Sequence, residues 1–167
     1  MAIIDAEFLS NLKSIEDRFW VKVHKTETCW IWSAGRERKG YGRFYVRGQH
    51  IMAHRAAYLL VVGQIPEGKI LDHKCHNKSC VNPAHLRPVT IKQNGENQLG
   101  PQITNTTGYR GVFFDKRKSL KPWFARVVHN GEYIHGGMYA TAEEANEAVI
   151  AMRNQLFTHN DADRKAA

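Results

Sequence analysis

The segment LDHKCHNKSCVNPAHL, residues 71–86, concentrates metal-ligating side chains more densely than any other part of the chain. Cys75 and Cys80 are five residues apart, and His85 follows after another five. Thiolate and imidazole are the ligands that zinc prefers. The spacing therefore predicts a loop folded around one tetrahedral zinc ion.

The fourth ligand of such a site is expected to be Cys29, the only other cysteine of the chain. A site of three cysteines and one histidine would use every cysteine, and structural zinc of this kind stabilises small folds by about 10 kcal/mol or more. The alternative is that the cysteines are buried thiols of a reduced protein. For Cys29 this alternative stays open.

The charge of the chain favours a polyanionic partner. The 167 residues carry a net charge of +8, which is typical of nucleic-acid-binding proteins. Residues 101–140 hold six basic and two acidic side chains, whereas 141–167 hold three basic and five acidic ones. We expect one face turned toward nucleic acid and another turned away. A basic surface kept for solubility is the alternative.

No segment approaches the roughly eighteen apolar residues of a membrane span, so we expect no membrane contact. The first residues lack the basic start and apolar centre of a signal peptide. We therefore expect a cytoplasmic protein, in which disulfides are rare. Bound metal then explains the cysteines better than disulfides do.

Hydrophobic periodicity predicts an α+β protein with two domains. Phe8, Leu12, Ile15 and Phe19 have helical spacing, and residues 40–63 predict a strand, a turn centred on Gly48, a second strand and a helix. The predicted boundaries are 1–28 for an N-terminal helical segment, 29–98 for a metal-binding domain, 99–108 for a linker, 109–157 for a second domain and 158–167 for a polar tail.

The second domain is predicted to hold three antiparallel strands and one helix. Its strand-like runs are YRGVFFD, PWFARVVHNG and EYIHGGMYA, and Asn130-Gly131 is a strong hairpin signal. Thr141 followed by Glu144 predicts a capping box at the start of the helix.

His73 stands apart from the predicted zinc ligands. It follows Asp72, and Asn94 lies twenty-one residues downstream. A histidine can accept a proton from water while a hard cation with oxygen ligands, such as Mg²⁺, receives the leaving oxygen of a phosphodiester. Carboxylate and amide oxygens are suitable Mg²⁺ ligands.

The segment DHKCHNKSCVNPAHL followed by VTIKQN resembles an HNH, or ββα-metal, nuclease motif, and its zinc loop resembles that of the His-Cys box homing endonucleases. The resemblance implies that His73 is the general base, that Asn94 binds a catalytic Mg²⁺, and that Cys29, Cys75, Cys80 and His85 hold a structural zinc. Asp72 stands where other HNH nucleases place an acidic metal ligand, so it either joins Asn94 or is a supporting or surface carboxylate. No cysteine follows Cys80, so the second zinc cluster of His-Cys box enzymes is not expected.

Other residues of this domain are assigned less closely. The family uses an arginine to neutralise the scissile phosphate, and Arg43, Arg47 and Arg55 are equally suitable. His50 and His54 are expected to be packed or hydrogen-bonded rather than catalytic. Asn82 is expected to be a turn residue before Pro83.

Residues 109–155 resemble an AP2 (ERF-type) DNA-binding domain, on the features YRGV, Trp123-x-Ala125, GG-x-Y and ATAEEA. In that family a three-stranded sheet lies in the major groove. The resemblance implies base or phosphate contacts from Arg110, Trp123 and Arg126, and phosphate contacts from a basic run that includes Lys116 and Lys118. Core packing of Trp123 and a solvated loop for the lysines are the alternatives.

Together these patterns predict a site-preferring DNA endonuclease of the phage or homing type, with Mg²⁺ as catalytic ion and double-stranded DNA as partner. A single active site cuts one strand, so double-strand cleavage would need a homodimer or two successive binding events. A non-cleaving zinc-stabilised DNA-binding regulator would need neither His73 nor Asn94. An RNA-processing nuclease is a further alternative.

Overall fold

The computed structural model describes residues 12–46, 48–101, 104–118 and 120–165. The chain divides into two compact units, Met1–Thr90 and Ile91–Ala167. Each unit has its own apolar core and combines helices with small antiparallel sheets, as the mixed α+β class requires. Within the described residues, no helix has the length and apolar character to cross a membrane.

The described part of the first unit contains helices and three antiparallel strand pairs. In chain order its elements are α1 (Leu12–Trp20), β1 (Val23–Lys25), β2 (Trp30–Trp32), β3 (Arg43–Val46), β4 (Gln49–Met52), α2 (Ala53–Val61), β5 (Ile70–His73), a 3-10 turn at Pro83–His85, and β6 (Leu86–Val89). Strands β1 and β2, β3 and β4, and β5 and β6 pair with each other.

An aromatic cluster forms the centre of the first core. Phe19 of α1, Trp32 of β2 and Phe44 of β3 are buried, with ring centroids 5.1 to 5.9 Å apart. Burial of such rings removes about 150–250 Å² each from water and dominates core energetics. Ile15 and Phe19 confirm the predicted helical spacing, while Phe8 lies outside the described residues. Because α1 supplies core residues, it is part of the first unit.

The predicted strand–turn–strand–helix order over 40–63 is confirmed. Gly48 adopts a φ of 77°, a left-handed conformation that glycine takes without steric cost, and β3 and β4 pair on either side of it. A side chain at Gly42 would collide with the Trp32 ring and Ala53. The absence of a Cβ therefore lets β3 start directly against the core.

The described part of the second unit contains one sheet with a long helix packed against it. Its elements are α3 (Ile91–Glu96), β7 (Val112–Phe114), β8 (Trp123–His129), β9 (Glu132–Tyr139), α4 (Ala142–Leu156) and α5 (Asp161–Lys165). Strand β8 lies in the middle of the antiparallel sheet. The three predicted strands and the following helix are confirmed, and their assignment to the AP2 family stays a prediction.

Local sequence signals place the turns of the second unit correctly. Asn130 and Gly131 both have positive φ, 52° and 85°, as the tight hairpin between β8 and β9 requires. The Thr141 hydroxyl accepts a hydrogen bond from the Glu144 amide, and the Glu144 side chain accepts one from the Thr141 amide. The capping box that begins α4 is therefore confirmed.

The two ends of the second unit differ from the predicted boundaries. Helix α3 belongs to this unit, although the sequence suggested that the second domain begins after the linker 99–108. The segment predicted as a polar tail contains α5. Its backbone is held by side chains of the α3 region: Thr158 donates to the Glu96 carboxylate at 3.0 Å, and the Asp161 amide donates to Asn97 at 3.0 Å. These contacts form only in the folded protein, so hydrophobic periodicity in the sequence could not predict them.

Candidate metal centre and nuclease site

The four predicted zinc ligands lie together in the first unit. One ligand atom each from Cys29, Cys75, Cys80 and His85 falls within 4.8 Å of all the others. The His85 Nδ1 is 3.6 Å from both the Cys29 Sγ and the Cys80 Sγ. Bonds of about 2.0–2.3 Å to a tetrahedral zinc put neighbouring ligand atoms at such separations. The donor set and its geometry therefore fit one zinc ion.

Backbone pairing brings Cys29 to the loop, although it is far away in sequence. The Val81 amide donates to the Trp30 carbonyl at 2.7 Å, and the Trp32 amide donates to the Ser79 carbonyl at 2.9 Å. Asn82 adds a third tie, since its Nδ2 donates to the Thr28 carbonyl at 2.9 Å. Both ends of β2, which follows Cys29 directly, are thus hydrogen-bonded to the segment that carries Cys80.

Asn82 also fixes the turn that presents His85. Its side-chain oxygen accepts a hydrogen bond from the Ala84 amide at 3.0 Å, as an N-cap does, and the 3-10 turn Pro83–His85 follows. The role expected for Asn82, that of a turn residue before Pro83, agrees with this geometry.

Two thiols of this cluster differ in the direction in which their pKa is shifted. A hydrogen bond from the Cys80 thiol is the largest cause that lowers the pKa of Cys75, to about 4. The same bond raises the pKa of Cys80, and burial raises it further. The bond thus favours ionisation of Cys75 over that of Cys80, and a metal ion would take the place of the shared proton.

His73 lies at the end of β5 and is only 6% exposed. Its Nε2 is 2.9 Å from the Cys80 carbonyl oxygen. Because a carbonyl only accepts, Nε2 carries the hydrogen and Nδ1 of the neutral ring has a free lone pair. Burial is the largest cause that lowers the pKa of His73 below its usual value. The ring is thus held as a neutral base with one accepting atom.

Two further rings surround His73, and the sequence did not assign them to the site. The centroid of the His54 ring is 4.8 Å from that of His73, and the Tyr41 ring lies 5.5 Å from His54 and 5.9 Å from His73. The sequence predicted that His54 is packed, and it is, against the candidate base. Burial lowers the pKa of His54 to about 3, and its buried Nδ1 has no hydrogen-bond partner among the described residues.

Asp72 precedes His73 on β5 and is buried as well. Arg87 stands opposite on β6 and donates to one Asp72 carboxylate oxygen from Nε and Nη2, both at 3.0 Å. Asp72 thus has a structural partner, and its role as a metal ligand stays a prediction. Asn94 lies on α3 in the second unit, and its role as a metal ligand also stays a prediction.

The three candidate arginines of the first domain remain undistinguished. Arg43 on β3 and Arg55 on α2 are exposed. Arg47 lies outside the described residues. A choice between them stays open.

The predicted DNA-contacting residues of the second unit are in very different environments. Arg110 donates to the backbone carbonyls of Gly95, Glu96 and Gln98 at 2.8 to 3.2 Å, at the end of α3. Trp123 packs against the apolar core of the unit. Lys116 and Lys118 are exposed in the loop between β7 and β8. Arg126 lies on the sheet. The DNA contacts of these residues stay predictions.

Comparison with known proteins agrees with this geometry. A family model described as HNH endonuclease matches residues 52–96. The matched segment includes His54, His73 and three of the four cluster residues, whereas Cys29 and Tyr41 precede it. Residues 52–96 are therefore similar to HNH endonucleases, and no solved structure matches the chain.

Three phage proteins are similar to parts of the chain. Protein 7.7 of Escherichia phage T7 is 38% identical over 73 residues, which cover 44% of this chain and 56% of the relative. Protein 2.8 of the same phage is 33% identical over 73 residues, covering 42% and 49%. The chain thus spans about half the length of these two relatives. The uncharacterized gene 5.3 protein of Enterobacteria phage T3 is 36% identical over 92 residues, covering 47% of this chain and 91% of the relative. Since nearly all of that phage T3 protein is matched, the chain belongs to the same family as the gene 5.3 protein.

Proposed function

We propose that this protein is a metal-dependent HNH endonuclease that hydrolyses phosphodiester bonds of DNA, with His73 as general base. The observation that carries the proposal is the position of His73. It lies inside the segment matched by the HNH endonuclease model, its Nε2 donates to the Cys80 carbonyl, and its Nδ1 is free to accept a proton. A buried neutral imidazole at pH 7 is suited to that task.

In this mechanism, His73 Nδ1 takes a proton from the attacking water. Mg²⁺ would stabilise the charge on the leaving oxygen. Asp72 is its candidate ligand in the first unit, and Asn94 is a candidate ligand on the resemblance to HNH nucleases alone. The hydrogen bond to Cys80 stabilises the imidazolium that forms, because it orients the ring and its donor. The rings of His54 and Tyr41 exclude water from the sides of His73.

A structural zinc at Cys29, Cys75, Cys80 and His85 has a defined part in this proposal. Cys80 supplies both a thiolate to the cluster and the carbonyl that orients His73. Anything that fixes the Cys80 backbone therefore fixes the base. In this proposal the zinc positions His73 through Cys80 and takes no part in phosphodiester hydrolysis.

Several finer features of the function are also proposals. The net charge of +8 and the phage relatives support a phage-encoded enzyme that acts on double-stranded DNA in a bacterial host. A preferred site, of the kind homing endonucleases use, requires reading of bases by the second unit. A single active site nicks one strand, so double-strand breaks require a homodimer or two events.

The test is cleavage of supercoiled plasmid by the purified protein in Mg²⁺, followed as nicked and linear product. His73→Ala should lower the rate about 10²–10⁴-fold with unchanged zinc content and folding. His50→Ala is the matched control, since His50 is an exposed histidine on β4 of the same unit. Cleavage by His73→Ala at the wild-type rate would contradict the mechanism. Absence of cleavage by the wild type would instead favour a non-cleaving DNA-binding protein.

A further inference from the structure

The face of the second unit's sheet that is turned away from α4 carries a row of aromatic side chains. Strand alternation places Val112, Ala125 and Val127 in the core beneath α4, so their strand neighbours lie on the opposite, open face. We use the name open face for the side chains of Phe113, Phe124, Arg126, Val128, Tyr133, His135 and Met138. Among these described residues there is no carboxylate.

Four of the open-face side chains form a continuous stack. Phe113 and Phe124 lie parallel, with centroids 5.2 Å apart. The Arg126 guanidinium is 4.3 Å from the Phe113 centroid and 4.6 Å from the Tyr133 centroid. Tyr133 is 64% exposed. The stack thus runs across all three strands and ends in a ring that is open to solvent.

Arg126 is ordered by stacking and retains its hydrogen-bonding capacity. Within residues 12–46, 48–101, 104–118 and 120–165, its guanidinium makes cation–π contacts and forms no hydrogen bond or ion pair. Arg110, by contrast, uses its donors on three backbone carbonyls. A guanidinium that contacts aromatic rings keeps its N–H groups for an incoming acceptor.

We propose that the open face binds single-stranded DNA by stacking of unpaired bases on Tyr133 and the neighbouring rings, while Arg126 contacts phosphate or base edges. The choice of DNA over RNA rests on the proposed function. Sheets that display aromatic rings on adjacent strands bind single strands in this manner. The preferred substrate is then a duplex that carries an unpaired segment.

The composition of the open face argues against a duplex ligand. In a duplex the base faces are stacked on one another, and a protein reads base edges in the grooves through hydrogen bonds. Phe113, Phe124, Val128 and Met138 provide no such groups. Aromatic rings bind most tightly to bases whose faces are not already stacked on other bases. A stacked base contributes about tenfold or more to affinity.

The loop between β7 and β8 provides the complementary charge. Lys116, Lys118 and Lys121 are exposed there, and Arg117 pairs with Asp115 at 2.9 Å. These three lysines can follow a phosphate backbone that leaves the stack, which makes binding strongly salt-dependent. Positive charge alone attracts single-stranded and double-stranded DNA alike, whereas stacking favours the single strand.

The test measures binding of the full chain in the His73→Ala background, which prevents cleavage, to fluorescent oligonucleotides. The probes are oligo-dT, a duplex of equal length, an abasic strand of equal length and oligo-U. We expect oligo-dT to bind at least tenfold more tightly than the duplex or the abasic strand. Equal affinity for the abasic strand would overturn the proposal, because charge would then account for binding. Tighter binding of the duplex would also overturn it, and so would tighter binding of oligo-U, which would make RNA the ligand.

Matched variants test the stack itself. Tyr133→Ala should weaken binding of oligo-dT about tenfold and leave the affinity for the abasic strand unchanged, whereas Tyr133→Phe keeps the ring and the affinity. Phe114→Ala is the control, because Phe114 is an exposed ring that contacts Trp123 on the other side of the sheet. Wild-type affinity of Tyr133→Ala, or an equal loss in Phe114→Ala, contradicts the proposal. Plasmid nicking by the protein with intact His73 reports the nuclease separately, so either proposal can fail alone.

Discussion

The Nε2 atom of His73 donates a hydrogen bond to the backbone carbonyl of Cys80 at 2.9 Å, and the thiol of the same Cys80 belongs to the candidate metal-binding cluster. One residue thus connects the ion site to the candidate base. If a bound zinc fixes the Cys80 backbone, it also fixes the tautomer and orientation of His73. Residues that support a reactive group in this way commonly change activity 10- to 100-fold.

Loss of the ion should therefore lower activity even when Mg²⁺ is in excess. Cys29→Ser removes a ligand that lies outside the catalytic loop, and we expect less bound zinc, a lower unfolding temperature and at least tenfold slower nicking. Elemental analysis of protein purified without chelator gives the zinc content, which should be one per chain in the wild type. Lys78→Ala, an exposed change in the loop, is the control and should match the wild type. Absence of zinc from the wild-type protein would contradict the prediction.

His54 predicts a specific dependence of stability on pH. Its folded pKa is about 3, below the usual 6.5, so between these values the unfolded chain binds a proton that the folded chain does not. Stability is therefore complete above pH 6.5 and falls as the pH drops toward 3, by about 1.4 kcal/mol per pH unit. His73, Tyr41 and Arg55 are its neighbours, and none of them offers its Nδ1 a hydrogen bond.

Denaturant unfolding of wild type and His54→Phe at pH 7.5 and pH 5 measures this effect. The phenylalanine keeps a ring against His73 but cannot bind a proton. The wild type should lose about 2 kcal/mol more than the variant between the two pH values. An equal loss in both proteins would show that His54 is protonated in the folded state or already neutral in the unfolded one.

Arg110 and Arg126 looked equivalent in the sequence, and the structure predicts opposite behaviour for them. Arg110→Ala leaves three backbone carbonyls at the end of α3 without their donor, so we expect a loss of about 2–4 kcal/mol in stability. Arg126→Ala removes a guanidinium whose contacts among the described residues are with aromatic rings. It should leave the unfolding free energy within about 1 kcal/mol, while nucleic-acid affinity falls. Thermal unfolding and oligonucleotide binding of both variants separate the two effects. A destabilised Arg126→Ala with unchanged affinity would reverse this assignment.

The sequence predicted those features that short-range patterns encode. The cluster loop has its ligands at fixed spacing, and the hairpin at Asn130-Gly131 and the capping box at Thr141 depend on neighbouring residues only. The surroundings of His73 depend on tertiary contacts that short-range patterns do not encode. Tyr41 and His54 reach it from a loop and from the start of α2, so no spacing relates them to His73.

Arg110 illustrates the same limit in the second unit. Its partners lie 12 to 15 residues upstream, beyond any helical or strand period. The motif YRGV predicts that Arg110 contacts DNA, and this stays a prediction; the structure shows in addition that its guanidinium donates to three backbone carbonyls of the fold. Residue type alone does not show whether an arginine bonds to the protein backbone or contacts a ligand.

The pair Asp72 and Arg87 offers a test of whether Asp72 acts on the metal or on the fold. If its carboxylate only anchors Arg87, then Asp72→Asn and Arg87→Ala should destabilise the protein to similar extents, since each disrupts the two hydrogen bonds that Arg87 donates to Asp72. Both variants should then retain the wild-type Mg²⁺ requirement. If Asp72 also contacts the catalytic ion, Asp72→Asn alone should raise the Mg²⁺ concentration that gives half-maximal nicking, by about tenfold. Nicking rates over a Mg²⁺ titration, measured with folded protein at a temperature below the unfolding transition of both variants, distinguish the two roles. A shift of the Mg²⁺ requirement in Arg87→Ala equal to that in Asp72→Asn would show that the ion pair acts as one unit and that the carboxylate has no separate contact with the ion.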